Sequence, residues 1–189
     1  MPVSSTPPPV ITTSDLARLP LFAGVATPDL RRLLEAAPAV AYRDGEFMMH
    51  EGERAGNGLL IVSGTARVQT YSGKQTRTLN TIEAGKIVGE SGLLVQEEVR
   101  SASMVATSLV HALVLTRSTL KRLAGTSVLA SIQIEMLNES AVRLRRTQET
   151  MLRLAVRPPP AKPPPECSAP KTQKKSAWKA FLKAFGGLA

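Results

Sequence analysis

The central part of the chain, from Tyr42 to Leu115, alternates short apolar and β-branched segments with turns that contain glycine. This pattern predicts strands over residues 47–49, 59–62, 66–71, 77–82, 103–106 and 111–115. Turns such as Ser63-Gly64 and Ala84-Gly85-Lys86 separate the strands. Short strands with a turn about every eight to twelve residues are typical of a β-sandwich or a jelly-roll barrel.

Helical patterns lie on both sides of the predicted strands. Ser14 and Asp15 are predicted to cap a short first helix, and Thr27-Pro28-Asp29 has the form of a second helix start. After the strands, the spacing of leucines predicts a short helix near 118–124, and a long helix follows over 127–157. Together these elements indicate the α+β fold class.

The long predicted helix carries an incomplete apolar stripe that three arginines interrupt. The stripe consists of Ile132, Met136, Leu137, Val142, Leu144, Met151, Leu152 and Leu154. A helix of this length, about 45 Å at 1.5 Å per residue, extends past a small barrel. Exposed apolar positions on the extension favour packing against a second copy, which predicts a homodimer. The alternative is a helix that folds back on its own barrel.

The last part of the chain has a different composition. Two proline triplets end the long helix and favour a semi-rigid polyproline II linker over residues 158–170. Residues 171–189 predict a short basic amphipathic helix, whose two faces are formed by Trp178, Lys179, Phe181, Leu182, Lys183 and Phe185. Helices of this kind bind an anionic membrane surface or a groove of another protein.

A chain of 189 residues has room for one well-buried domain with appendages. That domain is expected over residues 14–126, after a Pro-, Ser- and Thr-rich segment of residues 1–13 that is expected to be disordered. The net charge is +9, and residues 158–189 contribute +5 of it through six lysines and one glutamate. The remaining +4 belongs to residues 1–157, so the predicted domain is only mildly basic.

Composition also argues against several functions. His50 and His111 lie far apart without cysteine or acidic residues at ligand spacing, so no metal site is expected. No Ser/His/Asp arrangement or paired carboxylate set is visible, so an enzyme is not expected. The sequence has neither a secretory signal nor an apolar run of about twenty residues, and the single Cys167 fits a reducing compartment. We therefore expect a cytoplasmic protein, at most peripheral to a membrane.

The stretch VGESGLLVQEEVRSA, residues 88–102, contains the candidate binding chemistry. Glu90 near its start can accept hydrogen bonds from sugar hydroxyls. Arg100 near its end offers a planar fork of donors to phosphate oxygens, and the Ser101 hydroxyl and backbone N–H groups add further donors. The stretch thus predicts a site for a ligand with both hydroxyls and a phosphate. The alternative is a surface turn with charged ends.

The complete order of elements resembles the cyclic nucleotide-binding domain, and within that family the sensory half of the catabolite activator proteins. The resemblance covers residues 19–151. It depends on EGERAGNGLLIVSGTARV at 51–68, AGKIVGESGLL at 84–94, Arg100-Ser101-Ala102, and EMLNESAVRLRRTQE at 135–149. It implies a cyclic nucleotide-binding β-roll, jelly-roll-like, with N-terminal helices and a long C-terminal dimerisation helix.

The resemblance also implies roles for the residues of the loop. Gly89 would offer its backbone N–H, and Glu90 would bind the ribose 2′-hydroxyl. Arg100 would pair with the cyclic phosphate, helped by Ser101. Ser91 stands where the family usually has an aliphatic residue. The alternative is a degenerate domain that has kept this scaffold and lost its ligand.

Two residues of the long helix are implied to contact the base. Thr147 matches the family's threonine that contacts the adenine amino group. Gln148 takes the place of a serine that reaches the base from the second subunit, which leaves the base preference open. The implied ligand is cAMP in preference to cGMP, and no cofactor is implied.

The resemblance ends after the long helix, where the activator proteins continue into a helix-turn-helix domain. Residues 158–189 are too few and too rich in proline to form one, so sequence-specific DNA binding is not expected. We expect a cyclic nucleotide sensor that signals through its dimer helices and its C-terminal tail. The alternative is a ligand-independent dimeric scaffold or targeting protein, whose tail docks a partner assembly or a membrane.

Overall fold

The computed structural model describes residues 9–72, 75–95 and 99–155. The helices are α1 (Thr13–Ala17), α2 (Thr27–Ala36), α3 (Ser91–Leu94), α4 (Arg117–Arg122) and α5 (Ser127–Ala155), with a 3-10 turn at Pro20–Phe22. The strands are β1 (Ala39–Tyr42), β2 (Phe47–Met49), β3 (Asn57–Ser63), β4 (Ala66–Ser72), β5 (Gln75–Ile82), β6 (Ile87–Val88), β7 (Ser103–Ala106) and β8 (Val110–Thr116).

The strands form two four-stranded antiparallel sheets, ordered β1-β8-β3-β6 and β2-β7-β4-β5. The expected β-roll with its helices is confirmed, and each predicted strand is present to within two residues at either end. β1 and β6 were not predicted from the sequence. β6 has only two residues directly after a turn, so it is too short to show alternation.

Two strands, β3 and β8, bury both of their faces. Leu59 and Ile61 belong to the inner core between the sheets, whereas Leu60 and Val62 belong to an outer core beneath the helices. The same alternation recurs along β8, because successive side chains of a strand point to opposite faces. The helical side of the outer core comprises Leu16, Leu19, Phe22, Leu30, Leu33, Leu123, Val128, Ile132 and Met136.

The start of α1 differs from the prediction. Thr12, not Ser14, is the N-cap, because its hydroxyl accepts the Asp15 N–H at 3.3 Å. The Asp15 carboxylate in turn accepts the Thr12 N–H at 2.9 Å, which completes a capping box. Ser14 therefore lies inside the first turn. Asp15 does take part in the cap as predicted, but it does so as the third residue of the helix.

Helix α5 begins on the roll and then becomes exposed. Val128, Ile132 and Met136 are buried in the outer core, whereas every residue from Ser140 to Leu154 has an exposed side chain. The chain divides into two compact units, residues 1–145 and 146–189, and all the strands lie in the first. None of the helices in the described ranges has both the length and the apolar character needed to cross a membrane.

Asp29 of α2 caps the start of α5. Its carboxylate accepts the Ser127 N–H at 2.9 Å and the Ser127 hydroxyl at 2.6 Å. These two hydrogen bonds lower the pKa of Asp29 below its ordinary value. A lowered folded-state pKa means that the ionised form stabilises the fold. That stabilisation is complete above about pH 4 and is lost as the pH falls through the folded-state value.

We expect Asp29→Asn to lower the melting temperature at neutral pH, because the charged cap of α5 is lost. At a pH well below 4 the two proteins should melt closer together, since wild-type Asp29 is then protonated as well. Asp44→Asn, a change at an exposed aspartate in the turn after β1, is the matched control. Thermal unfolding from neutral to acid pH checks this. An unchanged gap between variant and wild type would contradict it.

Candidate functional site

Gly89 shapes the loop that leads from β6 into α3. Its backbone has φ 70°, and a Cβ atom at this position would lie 2.9 Å from the Met49 Cε and against the Arg100 guanidinium. Glycine is therefore required for two reasons, the left-handed backbone and the close approach of a side chain. Because position 89 has no Cβ, the Arg100 guanidinium can lie directly against the loop backbone.

Arg100 is buried with only 8% of its surface exposed. Its Nη2 donates to the backbone carbonyl of Asn57 at 2.7 Å and to the Asn57 Oδ1 at 2.6 Å. Its Nη1 donates to the Gly89 carbonyl at 3.4 Å. These bonds use three of the five N–H donors of the guanidinium, and all the acceptors are neutral oxygens.

Burial lowers the pKa of Arg100, and the nearby carboxylates of Glu53 and Glu90 oppose this change. None of the ion pairs within 4 Å among the described residues involves Arg100. A buried cation that is held by neutral oxygens carries a desolvation cost that a bound anion would offset. The site therefore favours a small anionic group at the Arg100 guanidinium.

Glu90, directly after Gly89, is also buried, with 5% of its side chain exposed. Its Oε1 lies 2.7 Å from the Nη2 of Arg143 on α5, whose side chain is 65% exposed. The predicted sugar-binding carboxylate thus contacts the long helix. The structure brings Gly89, Glu90 and Arg100 close together, and their role in binding a ligand stays a prediction.

The other residues predicted to contact the ligand lie at more exposed positions than Glu90 and Arg100. Ser91 begins α3 and is half-buried, and Ser101 follows Arg100 with an exposed side chain. Thr147 and Gln148 lie on the exposed part of α5, in the second compact unit. Their contact with a nucleotide base stays a prediction. The predicted docking residues from Trp178 to Phe185 lie outside the described residues.

A second link joins the loop region to α5. Lys86, just before β6, lies between two glutamates of the helix, with Nζ 2.8 Å from Glu135 Oε1 and 2.6 Å from Glu139 Oε1. These hydrogen bonds raise the pKa of Lys86, and the bond to Glu135 has the larger effect. Glu135, Glu139 and Arg143 are spaced four residues apart, so they form one row on the helix.

Sequence reasoning missed two residues of the site, Asn57 and Arg143. Asn57 lies 43 residues before its partner Arg100, and no local pattern distinguishes it from other strand-end asparagines. Arg143 interrupts the apolar stripe of the long helix, and this pattern does not point to a site residue. Its position four residues before Thr147 was a usable signal, since that spacing places both on one helix face.

The geometry defines a class of site: a β-roll in which a buried carboxylate, Glu90, and a buried cation, Arg100, lie within one short stretch of the chain. Across the described ranges no three His, Cys, Asp or Glu side chains cluster as metal ligands would. Residues 39–127 match the family model of the cyclic nucleotide-binding domain. The chain therefore carries a cyclic nucleotide-binding domain.

Similar proteins include the cyclic AMP receptor protein of Thermus thermophilus, which is 31% identical over 136 residues. The match covers 71% of this chain and 60% of that protein's length. The crystal structure of the Thermus thermophilus catabolite activator protein is 30% identical, with a TM-score of 0.54 over 72% of this chain and 62% of that one.

A cAMP-binding acyltransferase from Mycobacterium smegmatis, solved as a mutant, is 28% identical with a TM-score of 0.53. This similarity covers 64% of the present chain and 39% of the acyltransferase. The same kind of domain thus occurs both in a receptor protein and within an enzyme.

Proposed function

We propose that this protein is a regulatory module that binds a cyclic nucleotide, with cAMP preferred to cGMP, and passes the binding event to helix α5. The observation that carries the proposal is the buried Arg100 guanidinium, whose hydrogen bonds within the described residues go to the neutral oxygens of Asn57 and Gly89. A cyclic phosphate would place a negative charge in direct contact with this guanidinium. The similarity to a cyclic AMP receptor protein supports cAMP as the ligand.

Glu90 connects the ligand to the helix in this proposal. The ribose 2′-hydroxyl would bind to the Glu90 carboxylate, which pairs with the Arg143 guanidinium at 2.7 Å, so the two groups would compete for it. Ligand binding would change this ion pair, while the Lys86 pairs with Glu135 and Glu139 hold the preceding turns of α5. A ligand shifts a conformational equilibrium only by its differential affinity for the two states. Competition at Glu90 would provide that difference.

We expect isothermal calorimetry to show saturable binding of cAMP that Arg100→Ala weakens by about a hundredfold, or about 2.7 kcal/mol. Asn57→Ala should weaken it by a smaller factor, because the arginine stays but loses its support. Arg100→Lys should bind poorly, since an ammonium lacks the planar fork. Arg43→Ala, an exposed arginine after β1, is the control and should bind normally.

No saturable binding of cAMP, cGMP or a cyclic dinucleotide to the folded protein would contradict the proposal. So would binding that Arg100→Ala leaves intact. Thr147→Ala should reduce the preference for cAMP over cGMP if that side chain reads the base as the resemblance implies.

The proposed assembly is a homodimer through α5. The exposed face of α5 carries Ile134, Leu137 and Leu144, which are 59%, 69% and 60% exposed. Ala141 falls between the two leucines, so the spacing alternates three and four, as in a coiled-coil seam. The buried residues Val128, Ile132 and Met136 repeat instead at four and face the roll. Helix α5 thus has one apolar face for its own domain and a second for another helix.

We expect Leu137→Glu combined with Leu144→Glu to convert a dimer into monomers, because burial of each leucine contributes about 2 kcal/mol. Val142→Glu makes the same chemical change at a residue of the predicted apolar stripe that lies outside the three-and-four spacing of the seam, and it should leave the dimer intact. Size-exclusion chromatography with light scattering checks this. A monomeric wild type at all accessible concentrations would contradict the dimer.

The basic tail is proposed as the targeting part of the output. Deleting residues 171–189 is expected to change where the labelled protein is found in cells and to abolish its flotation with anionic vesicles. Binding of cAMP should stay unchanged. Vesicles of neutral lipid are the control, since the lysines would act through charge. Location lost without any vesicle binding would assign the tail to a protein partner. Unchanged location would refute targeting.

The expectations that the chain is cytoplasmic, is not an enzyme and does not bind specific DNA stay predictions.

A further inference from the structure

Arg117, the first residue of α4, reaches across to the end of α3. Its Nε donates to the Leu93 carbonyl at 3.0 Å, and its Nη2 donates to the Val95 carbonyl. The two carbonyls lie 24 and 22 residues away in the sequence. One guanidinium therefore binds two carbonyls at the carboxyl end of the short helix that follows Gly89 and Glu90.

The position of Arg117 within its own helix makes this contact informative. A cation at a helix amino terminus is unfavourable, and the first turn of α4 contains no acidic residue to compensate. At the carboxyl end of α3 the same charge is favourable, because unpaired carbonyls there carry partial negative charge. The electrostatic partner of Arg117 is thus α3 and not α4.

Helix α3 has limited support from elsewhere in the described structure. Leu93 is buried in the outer core, and Gly92 lies so close to Ala55 that a Cβ would come within 2.8 Å of the Ala55 Cβ. Leu94 and Val95 are 63% and 53% exposed. Apolar packing therefore holds one side of α3, while Arg117 holds its carboxyl end.

We propose that Arg117 is a positioning residue for the nucleotide site. By binding the Leu93 and Val95 carbonyls, it fixes α3 and thereby the Gly89-Glu90 segment at its amino end. It also connects that segment to α4, which leads into α5. This inference rests on the proposed function for its effect on cyclic nucleotide binding, but the effect on α3 itself does not require a ligand.

The test compares Arg117→Gln and Arg117→Lys with Arg122→Gln in the full chain. Arg122 is a matched control, because it lies on the same helix and also donates to a backbone carbonyl, that of Glu35 at 3.1 Å. The measurements are cAMP affinity by calorimetry, amide hydrogen exchange of Leu93 and Val95 without ligand, and the melting temperature.

Arg117→Gln is expected to weaken cAMP binding about tenfold, equivalent to about 1.4 kcal/mol, and to accelerate exchange of the two amides. Arg122→Gln should change neither, even where it lowers the melting temperature by the same amount. Arg117→Lys should retain part of the cAMP affinity and part of the amide protection, because lysine keeps the charge but lacks the planar fork of donors.

Affinity and exchange that match the Arg122→Gln control would overturn the positioning role. If Arg117→Gln does not fold, Arg117→Lys decides by the same two measurements. Failure of the wild type to bind any cyclic nucleotide would refute the proposed function alone. The exchange of Leu93 and Val95 would then still decide whether Arg117 holds α3.

Discussion

The burial of one guanidinium determines the arrangement of the site. Arg100 leaves water and is held by three hydrogen bonds to neutral oxygens of Asn57 and Gly89. Removing an arginine from water costs several kcal/mol unless acceptors and a counter-charge replace the solvent. This requirement explains why the loop needs glycine at position 89, where any Cβ would meet the arginine. It also explains why the first residue of β3, Asn57, directs its side-chain oxygen at Arg100.

Several links between this segment and the rest of the domain are electrostatic. Glu90 pairs with Arg143, Lys86 pairs with two glutamates of α5, and Arg117 holds the end of α3. Buried apolar contacts of α5 with the roll end at Met136. Partly exposed charge pairs are weaker than packed cores and are screened by salt. The charge pairs between this segment and α5 are therefore weaker than the packing within the two hydrophobic cores.

Local patterns predicted much of the fold because the two cores require them. β3 and β8 bury both faces, so they show as continuous apolar runs, and glycine marks the turns between strands. β6 was missed because two residues cannot show a period. The cap of α1 was placed two residues late, since threonine and serine are both suitable caps and the sequence offers both nearby.

By itself, the sequence determined the β-roll and which loop carries the glycine, the carboxylate and the guanidinium, because these features are local in the chain. Only the tertiary structure decided what those groups contact. Asn57, Arg117 and Arg143 come from three other elements, and their bonds to the loop region span between 22 and 53 residues. Hydrogen bonds over such separations depend on how strands and helices pack. Periodicity and spacing within one segment do not show which residues of another element that segment contacts.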